Sequence, residues 1–353
     1  MAGLGEVLAT ARRASGFTQE ELSRAAHITQ AALSRYENDL RYPEPEVLAR
    51  LADTLGVTRT LLERGGHIEG GIAVSSHMRR RATAKATVWR ELEARLNMYR
   101  LHTTALMDDV AMHARLQVPT FDPIDIEPAD AARRVRAQWR MPVGPIHSLT
   151  SWLDAAGVFV LERDFGPAAR VDGLSQWSGP YPLMLINSTS PTDRKRLTLA
   201  HELGHLTLHT SDLADEPEAQ ANQFAAELLM PANEIKPMLG AKLTLGRLVE
   251  LKRYWGTSIA ALIERAYSLR ALQAEQRTAL YKQLGARGWR TREPESENLT
   301  PEHPQLALHI AESLRSRGLA ETEIAYLAGY PSPEANDLLP RSPRKTHAAL
   351  RVV

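Results

Sequence analysis

The run from Leu199 to Leu206 carries the arrangement His201-Glu202-x-x-His205, which restricts the local fold more than any other feature of the chain. Residues four apart lie on one face of an α-helix, so a helix here would present both imidazoles to one metal ion. Glu202 would lie one step around that helix, within reach of a metal-bound water. The neighbouring residues are mainly apolar, and histidines in such a setting need partners, which a metal supplies. A helix with solvent-facing histidines is the alternative. Ser190 is the expected N-cap of this helix, with Pro191 at its first position.

A metal in this chain must be held by His, Asp or Glu, because the sequence contains no cysteine. A catalytic zinc takes three protein ligands and a water, so a third ligand is expected downstream. The candidates are His209, Asp212, Asp215, Glu216, Glu218 and Glu227. His209 would lie about 12 Å along the helix axis from His201, too far to share the ion comfortably. We therefore expect His209 to be a nearby polar residue.

Glu218 is the better candidate, in a segment that Pro217 can open as a helix and Pro231 closes. Asn222 lies one turn further, where it could hydrogen-bond a metal-bound histidine. The helix dipole also favours an acidic residue in the first turn when no metal is present. Both interpretations of Glu218 remain open on spacing alone.

Two short helices with a tight joint are predicted between Phe17 and Glu37. Thr18 and Glu21 have the spacing of a capping box, and Thr29 can cap the second helix. The residues expected to face inward are Leu22, Ala25, Ala26, Ile28, Leu33 and Tyr36, which leaves Gln30, Ala31, Ser34 and Arg35 outside. A helix-turn-helix needs this division between a packing face and a face for the major groove. Any small helical bundle is the alternative.

This segment, with Arg12-Arg13, Gly16 and Pro43, resembles the XRE family, whose helix-turn-helix fold is that of lambdoid phage repressors. The resemblance covers about residues 3–62 and implies an operator of double-stranded DNA bound by a homodimer. It assigns phosphate contacts to Gln19 and Asn38. It assigns base or backbone contacts to Thr29, Gln30, Ala31, Ser34 and Arg35.

The blocks from Arg194 to His205 and from Glu218 to Pro231 resemble the ImmA/IrrE family of zinc metallopeptidases, over about residues 125–266. The resemblance implies Zn²⁺ held by His201, His205 and Glu218, with Glu202 activating the zinc-bound water and Asn222 supporting a ligand. A substrate peptide is expected to pair as an extra strand along Tyr181 to Asn187. The candidates for oxyanion donor are Arg194, Arg196, Tyr181 and His209.

The predicted fold is multidomain. An all-α, lambda-repressor-like helix-turn-helix domain is expected over residues 1–64, then a linker and connector helix over 65–124. An α+β zincin-like metallopeptidase domain follows over 125–268, with strand-like runs at Gly157 to Glu162 and Tyr181 to Asn187. A helical C-terminal region over 269–353 is expected to be a cap or a dimer surface. The connector, which is rich in arginine, is expected to be solvated, with a DNA-facing helix as the alternative.

The net charge of +1 argues against a globally basic nucleic-acid binder, although a small DNA-reading module remains possible. No apolar run approaches the 18 to 20 residues of a membrane helix, so a cytoplasmic protein without membrane contact is expected.

The resemblances imply a DNA-binding transcriptional regulator whose zinc endopeptidase domain cleaves a regulatory protein such as a repressor or antitoxin. The alternative is a repressor or antitoxin-like autoregulator whose zinc domain senses or scaffolds with little proteolysis. The presence of Glu202 favours the first, because a structural zinc needs no general base.

Overall fold

The computed structural model describes residues 3–64, 86–110, 112–167, 169, 171–210, 215–240 and 243–342. Several predictions lie outside these residues, among them the linker after residue 64, the candidate ligand Asp212 and the basic residues Arg79 to Lys85. None of the described helices is both long enough and apolar enough to span a bilayer.

Five helices form the N-terminal unit: α1 (Leu4–Ala14), α2 (Gln19–Ala25), α3 (Gln30–Glu37), α4 (Pro45–Leu55) and α5 (Arg59–Arg64). The Thr18 capping box is present, and the Thr29 side chain accepts a hydrogen bond from the Ala32 backbone, as predicted. Leu33 and Tyr36 pack in the core of this unit. The inward orientation expected of Ala25 is wrong: Ala25 is exposed, since Leu22 and Ala26 occupy the packing face of this short helix.

A three-stranded sheet follows, preceded by α6 (Ala86–Asp109), α7 (Pro128–Gln138) and α8 (Leu149–Ala155). Its strands are β1 (Phe159–Arg163), β2 (Gly173–Ser178) and β3 (Tyr181–Asn187), in the order β1-β3-β2. β3 is parallel to β1, with Phe159 opposite Leu183, and antiparallel to β2. The sequence does not predict β2, because its serines and glutamine lack the apolar alternation that indicates a strand.

The remaining elements are helical: α9 (Thr192–Leu208), α10 (Pro217–Leu229), α11 (Ala232–Leu239), α12 (Leu245–Trp255), α13 (Ile259–Ser268), α14 (Ala274–Ala286), a 3₁₀ turn (Ser296–Asn298), α15 (Leu306–Ser316) and α16 (Glu321–Leu327). With the sheet, they confirm the α+β class and the helical C-terminal region.

The predicted start of α9 is wrong by one residue. Pro191 is extended and acts as the N-cap, and its carbonyl accepts the first helical hydrogen bond from Lys195.

The sheet lies between two apolar layers because successive residues of a strand point to opposite faces. Met184 and Ile186 of β3 pack in the core that contains α9 and α10. Leu183 and Leu185 pack in a second core with α6, α15 and α16. Helices α15 and α16 therefore cap the face of the sheet opposite α9.

Helix α6 is buried on two sides, which differs from the solvated connector expected from the sequence. Leu92 and Leu96 join the core beneath the sheet, while Met98 and Leu101 join the core of the N-terminal unit. Arg95, an arginine of the DNA-facing alternative, bonds Glu91 and the Ala14 carbonyl. Apolar residues on both faces of α6 thus connect the N-terminal unit to the sheet.

Candidate functional site

Three side chains from α9 and α10 converge on one point. His201 Nε2 and His205 Nε2 lie 3.0 Å apart. Glu218 Oε2 is 3.5 Å from the first nitrogen and Oε1 is 3.3 Å from the second. Two ligand atoms bound tetrahedrally to zinc at 2.0 to 2.1 Å are about 3.3 Å apart. The three side chains therefore fit one zinc ion and, among the described residues, form a group of suitable ligands.

A close approach of α9 and α10 brings Glu218 to the histidines. Gly204 faces α10, and a Cβ atom there would lie 3.1 Å from Phe224 Cδ1 and 3.2 Å from Ala221 Cα. Such contacts are tighter than nine in ten real Cβ contacts, so a Cβ atom here would require its neighbours on α10 to move by a few tenths of an ångström. The glycine one residue before His205 thus contributes to the geometry of the site.

A chain of hydrogen bonds orients the imidazoles. His201 Nδ1 is 3.1 Å from Asn222 Oδ1, the contact expected from the sequence. His205 Nδ1 is 2.9 Å from His209 Nδ1, and His209 Nε2 is 2.8 Å from Gln220 Oε1. If His209 donates to Gln220, its Nδ1 accepts from His205, which leaves the Nε2 lone pair of His205 available to a metal. Donation from His201 Nδ1 to Asn222 Oδ1 leaves the Nε2 lone pair of His201 available in the same way.

The electrostatics of the histidines match this arrangement. Burial lowers the pKa of His209 to about 4, so His209 is neutral and can accept the hydrogen bond from His205. For His201, burial opposes the charged form, but the hydrogen bond to Glu218 and the charge of Glu202 outweigh it and raise the pKa. The carboxylates of Glu202 and Glu218 therefore favour a positive charge next to them. A bound metal cation would supply such a charge.

Glu202 is buried against β2. Its Oε2 accepts a hydrogen bond of 2.7 Å from Ser175 Oγ, itself buried. A Cβ atom at Gly173 would lie 3.2 Å from Glu202 Cγ and 2.6 Å from Thr198 Cγ2, so this position has little room for a side chain. Ser175 and Gly173 are not among the site residues predicted from the sequence, because the strand that carries them lacks a recognisable apolar pattern.

Glu202, His201 and Glu218 border one cleft of about 180 Å³, the metal cleft, which is also lined by Asn222, Asp172 and Arg194. Arg194 is the oxyanion candidate that reaches this cleft, where it bonds Asp172 Oδ2 at 2.7 Å. Arg196 instead bonds Glu302 and the Ile146 carbonyl. Tyr181 packs against the core on the other face of the sheet.

The other candidate ligands are placed differently. Glu227 is buried but pairs with Arg133 and Arg265, so its charge is already balanced. Asp215 and Glu216 are exposed ahead of α10. Glu218 differs from these candidates because its carboxylate lies next to both histidines, which the spacing in the sequence does not show.

The expectation of a substrate strand paired with Tyr181 to Asn187 is wrong. β3 is the central strand, and its two edges already pair with β1 and β2. β2 lies at the end of the strand order and carries the residues that contact Glu202. β2 therefore occupies an edge of β3 along which the substrate peptide was expected to pair.

The N-terminal unit presents the predicted polar face on α3. Thr29, Gln30, Ala31 and Arg35 are exposed, and Ser34 is half-buried. Asn38 is exposed and donates its amide to the Ser34 carbonyl. Gln19 donates to Glu37 at 2.8 Å, and Arg12 pairs with the same carboxylate at 2.6 Å. These contacts hold α1 and α2 against α3 and leave the outer face of α3 accessible.

Comparison with known families gives two matches. Residues 8–62 match the model of the helix-turn-helix family, and residues 153–267 match the IrrE N-terminal-like domain, a peptidase M78 family. Both matches confirm the resemblances described from the sequence. No curated protein matches the chain.

Proposed function

Because the chain joins a DNA-binding helix-turn-helix segment to a peptidase-family segment, we propose that it is a regulator that also hydrolyses a peptide bond of a regulatory protein. His201, His205 and Glu218 hold zinc in this proposal, and Glu202 is the general base. The observation that carries it is the convergence of the three ligand atoms beside a buried carboxylate. We assign domains to residues 1–64, 125–268 and 269–353, with 65–124 as the connector, and a homodimer to the DNA-bound state.

The chain's own residues account for the proton transfers. Zinc, when bound, polarises the scissile carbonyl and makes water more acidic. Glu202 accepts the proton of the attacking water and later delivers it to the leaving amine. Ser175 engages Oε2 of Glu202, so we assign proton transfer to Oε1. Asn222 and His209 orient the two histidine ligands.

Metal analysis tests the site directly. We expect the full chain, purified under metal-replete conditions, to contain one zinc per chain. Glu218→Gln should weaken zinc binding by more than about 100-fold, because loss of a ligand exceeds loss of a supporting contact. Asp215→Asn, a nearby exposed position, is the matched control and should retain zinc. If the wild-type protein contains no zinc under these conditions, the proposed zinc site is wrong.

Operator binding tests the DNA-reading helix. We expect Arg35→Ala and Gln30→Ala each to weaken binding to a duplex selected from random sequence by about 1 to 3 kcal/mol, as for a bidentate base contact. Fluorescence anisotropy at fixed salt would compare that duplex with a scrambled one. Arg287→Ala, an exposed arginine beyond α14, should change neither affinity. Unchanged specific affinity in both α3 variants would show that α3 does not read bases.

Ser175 is a positioning residue for Glu202. Ser175→Ala should lower kcat for peptide cleavage about tenfold, because a hydrogen bond to a charged group contributes roughly 1.5 to 3 kcal/mol. Zinc content and KM should stay unchanged, and Ser175→Thr should recover part of the rate. Ser178→Ala removes another buried hydroxyl of β2, one that bonds the Arg100 carbonyl and not Glu202. An equal loss of rate in both alanine variants would indicate that the substitutions disturb β2 as a whole and that Ser175 has no specific role in positioning Glu202.

A further inference from the structure

A second, larger cleft adjoins the metal cleft. Its volume is about 700 Å³, within the range of sites that bind small ligands. It lies between α10 and α13, and Tyr281 of α14 also lines it. Much of its lining is apolar, and the small side chains of Ala226, Ala260 and Ala261 leave it open. Nothing in the proposed chemistry uses this space.

The two clefts share a wall formed by Leu197 and Asn222. Leu197 lies four residues before His201, so it is about 6 Å away along the axis of α9. An extended peptide advances roughly 3.3 to 3.6 Å per residue. A substrate with its scissile bond at the histidines would therefore bring a side chain one or two residues away to the larger cleft.

The charged residues of this cleft are already paired. Glu264 accepts hydrogen bonds from Tyr281 Oη at 2.6 Å and Arg277 Nε at 2.9 Å. Arg265 pairs with Glu227 and donates to the Met230 carbonyl at 3.0 Å. A charged side chain entering the cleft would lose water without gaining a new partner, which is unfavourable. An apolar side chain would lose no such hydration and would contact Leu197 and Met230.

We propose that this cleft receives a large apolar side chain of the substrate protein, one or two residues from the scissile bond. This inference rests on the proposed peptidase function and adds a substrate class to it. Ala226 and Ala261 determine specificity, because a larger side chain at either position would occupy the space meant for the substrate.

Cleavage of a proteome-derived peptide library by the zinc-loaded full chain tests the proposal. We expect a preference for Leu, Met or Phe at one fixed position within two residues of the cut. Ala261→Trp, and independently Ala226→Phe, should reduce that preference about tenfold or more, as changes in a hydrophobic pocket do. Ala286→Trp, at the exposed end of α14, is the matched control and should keep it. Circular dichroism and zinc content would verify that each variant is folded.

Retention of the same library on zinc-loaded Glu202→Gln protein separates this inference from the peptidase function. If apolar peptides are retained, the cleft variants abolish retention and the wild type cuts none of them, the cleft is a binding site for apolar side chains, but the peptidase proposal and the position relative to a scissile bond both fail. If the wild type cuts peptides with no apolar preference, or both cleft variants keep that preference, the cleft proposal is overturned and the peptidase proposal stands. If peptides are neither cut nor retained, both are overturned.

Discussion

Glu202→Gln should bind zinc as the wild type does and cleave its protein substrate about 10²- to 10⁴-fold more slowly. Glutamine is nearly isosteric with glutamate but cannot accept the proton of the attacking water, and general acid-base catalysis contributes an effect of this size. Its amide would still lie next to Ser175 on β2. Zinc content by mass spectrometry, together with the rate of substrate cleavage, would measure both properties.

Glu216→Gln is the matched control for this experiment, since it makes the same substitution at an exposed residue outside the metal cleft. It should cleave at the wild-type rate. A zinc-loaded Glu202→Gln protein with wild-type activity would contradict the role of Glu202 as base. Full promoter regulation by an inactive Glu202→Gln protein would instead favour the regulator whose zinc domain is a sensor or scaffold.

Lys252→Met should lower the free energy of unfolding by about 3 to 5 kcal/mol. Lys252 is fully buried, and its Nζ bonds Asp193 at 2.5 Å, Glu293 at 2.7 Å and Ser296 at 2.8 Å. Glu293 also accepts hydrogen bonds from the first backbone amides of α13. Methionine fills a similar volume but leaves two carboxylates without their cation, and breaking a buried ion pair in this way has such a cost.

Urea unfolding would measure this change. Lys236→Met, on the exposed face of α11, is the control and should change stability by less than about 0.5 kcal/mol. A loss below 1 kcal/mol for Lys252→Met would contradict the network's role in stability. Because Asp193 lies in the first turn of α9, a large loss would show that the segment around Glu293 stabilises the start of the helix that carries the histidines.

Much of the local structure could be predicted because it depends on residues close in sequence. The Thr18 capping box, the helix opened by Pro217 and the i, i+4 spacing of His201 and His205 each involve neighbours within one or two turns. The expected contact between Asn222 and a histidine is also present, at His201, although it joins two different helices. The start of α9 was misplaced by one residue, because Ser190 and Pro191 are both plausible at a helix start.

Many of the helices, the polar face of α3 and the candidate ligands can therefore be predicted from the sequence, since helical periodicity and capping are local properties. How these parts meet depends on the tertiary fold. β2 brings Ser175 to Glu202 across 27 positions of sequence, and Gln220 meets His209 across 11. α6 buries two faces because the N-terminal unit and the sheet both pack on it. Such contacts depend on the packing of distant elements, which leaves no periodic pattern in the chain.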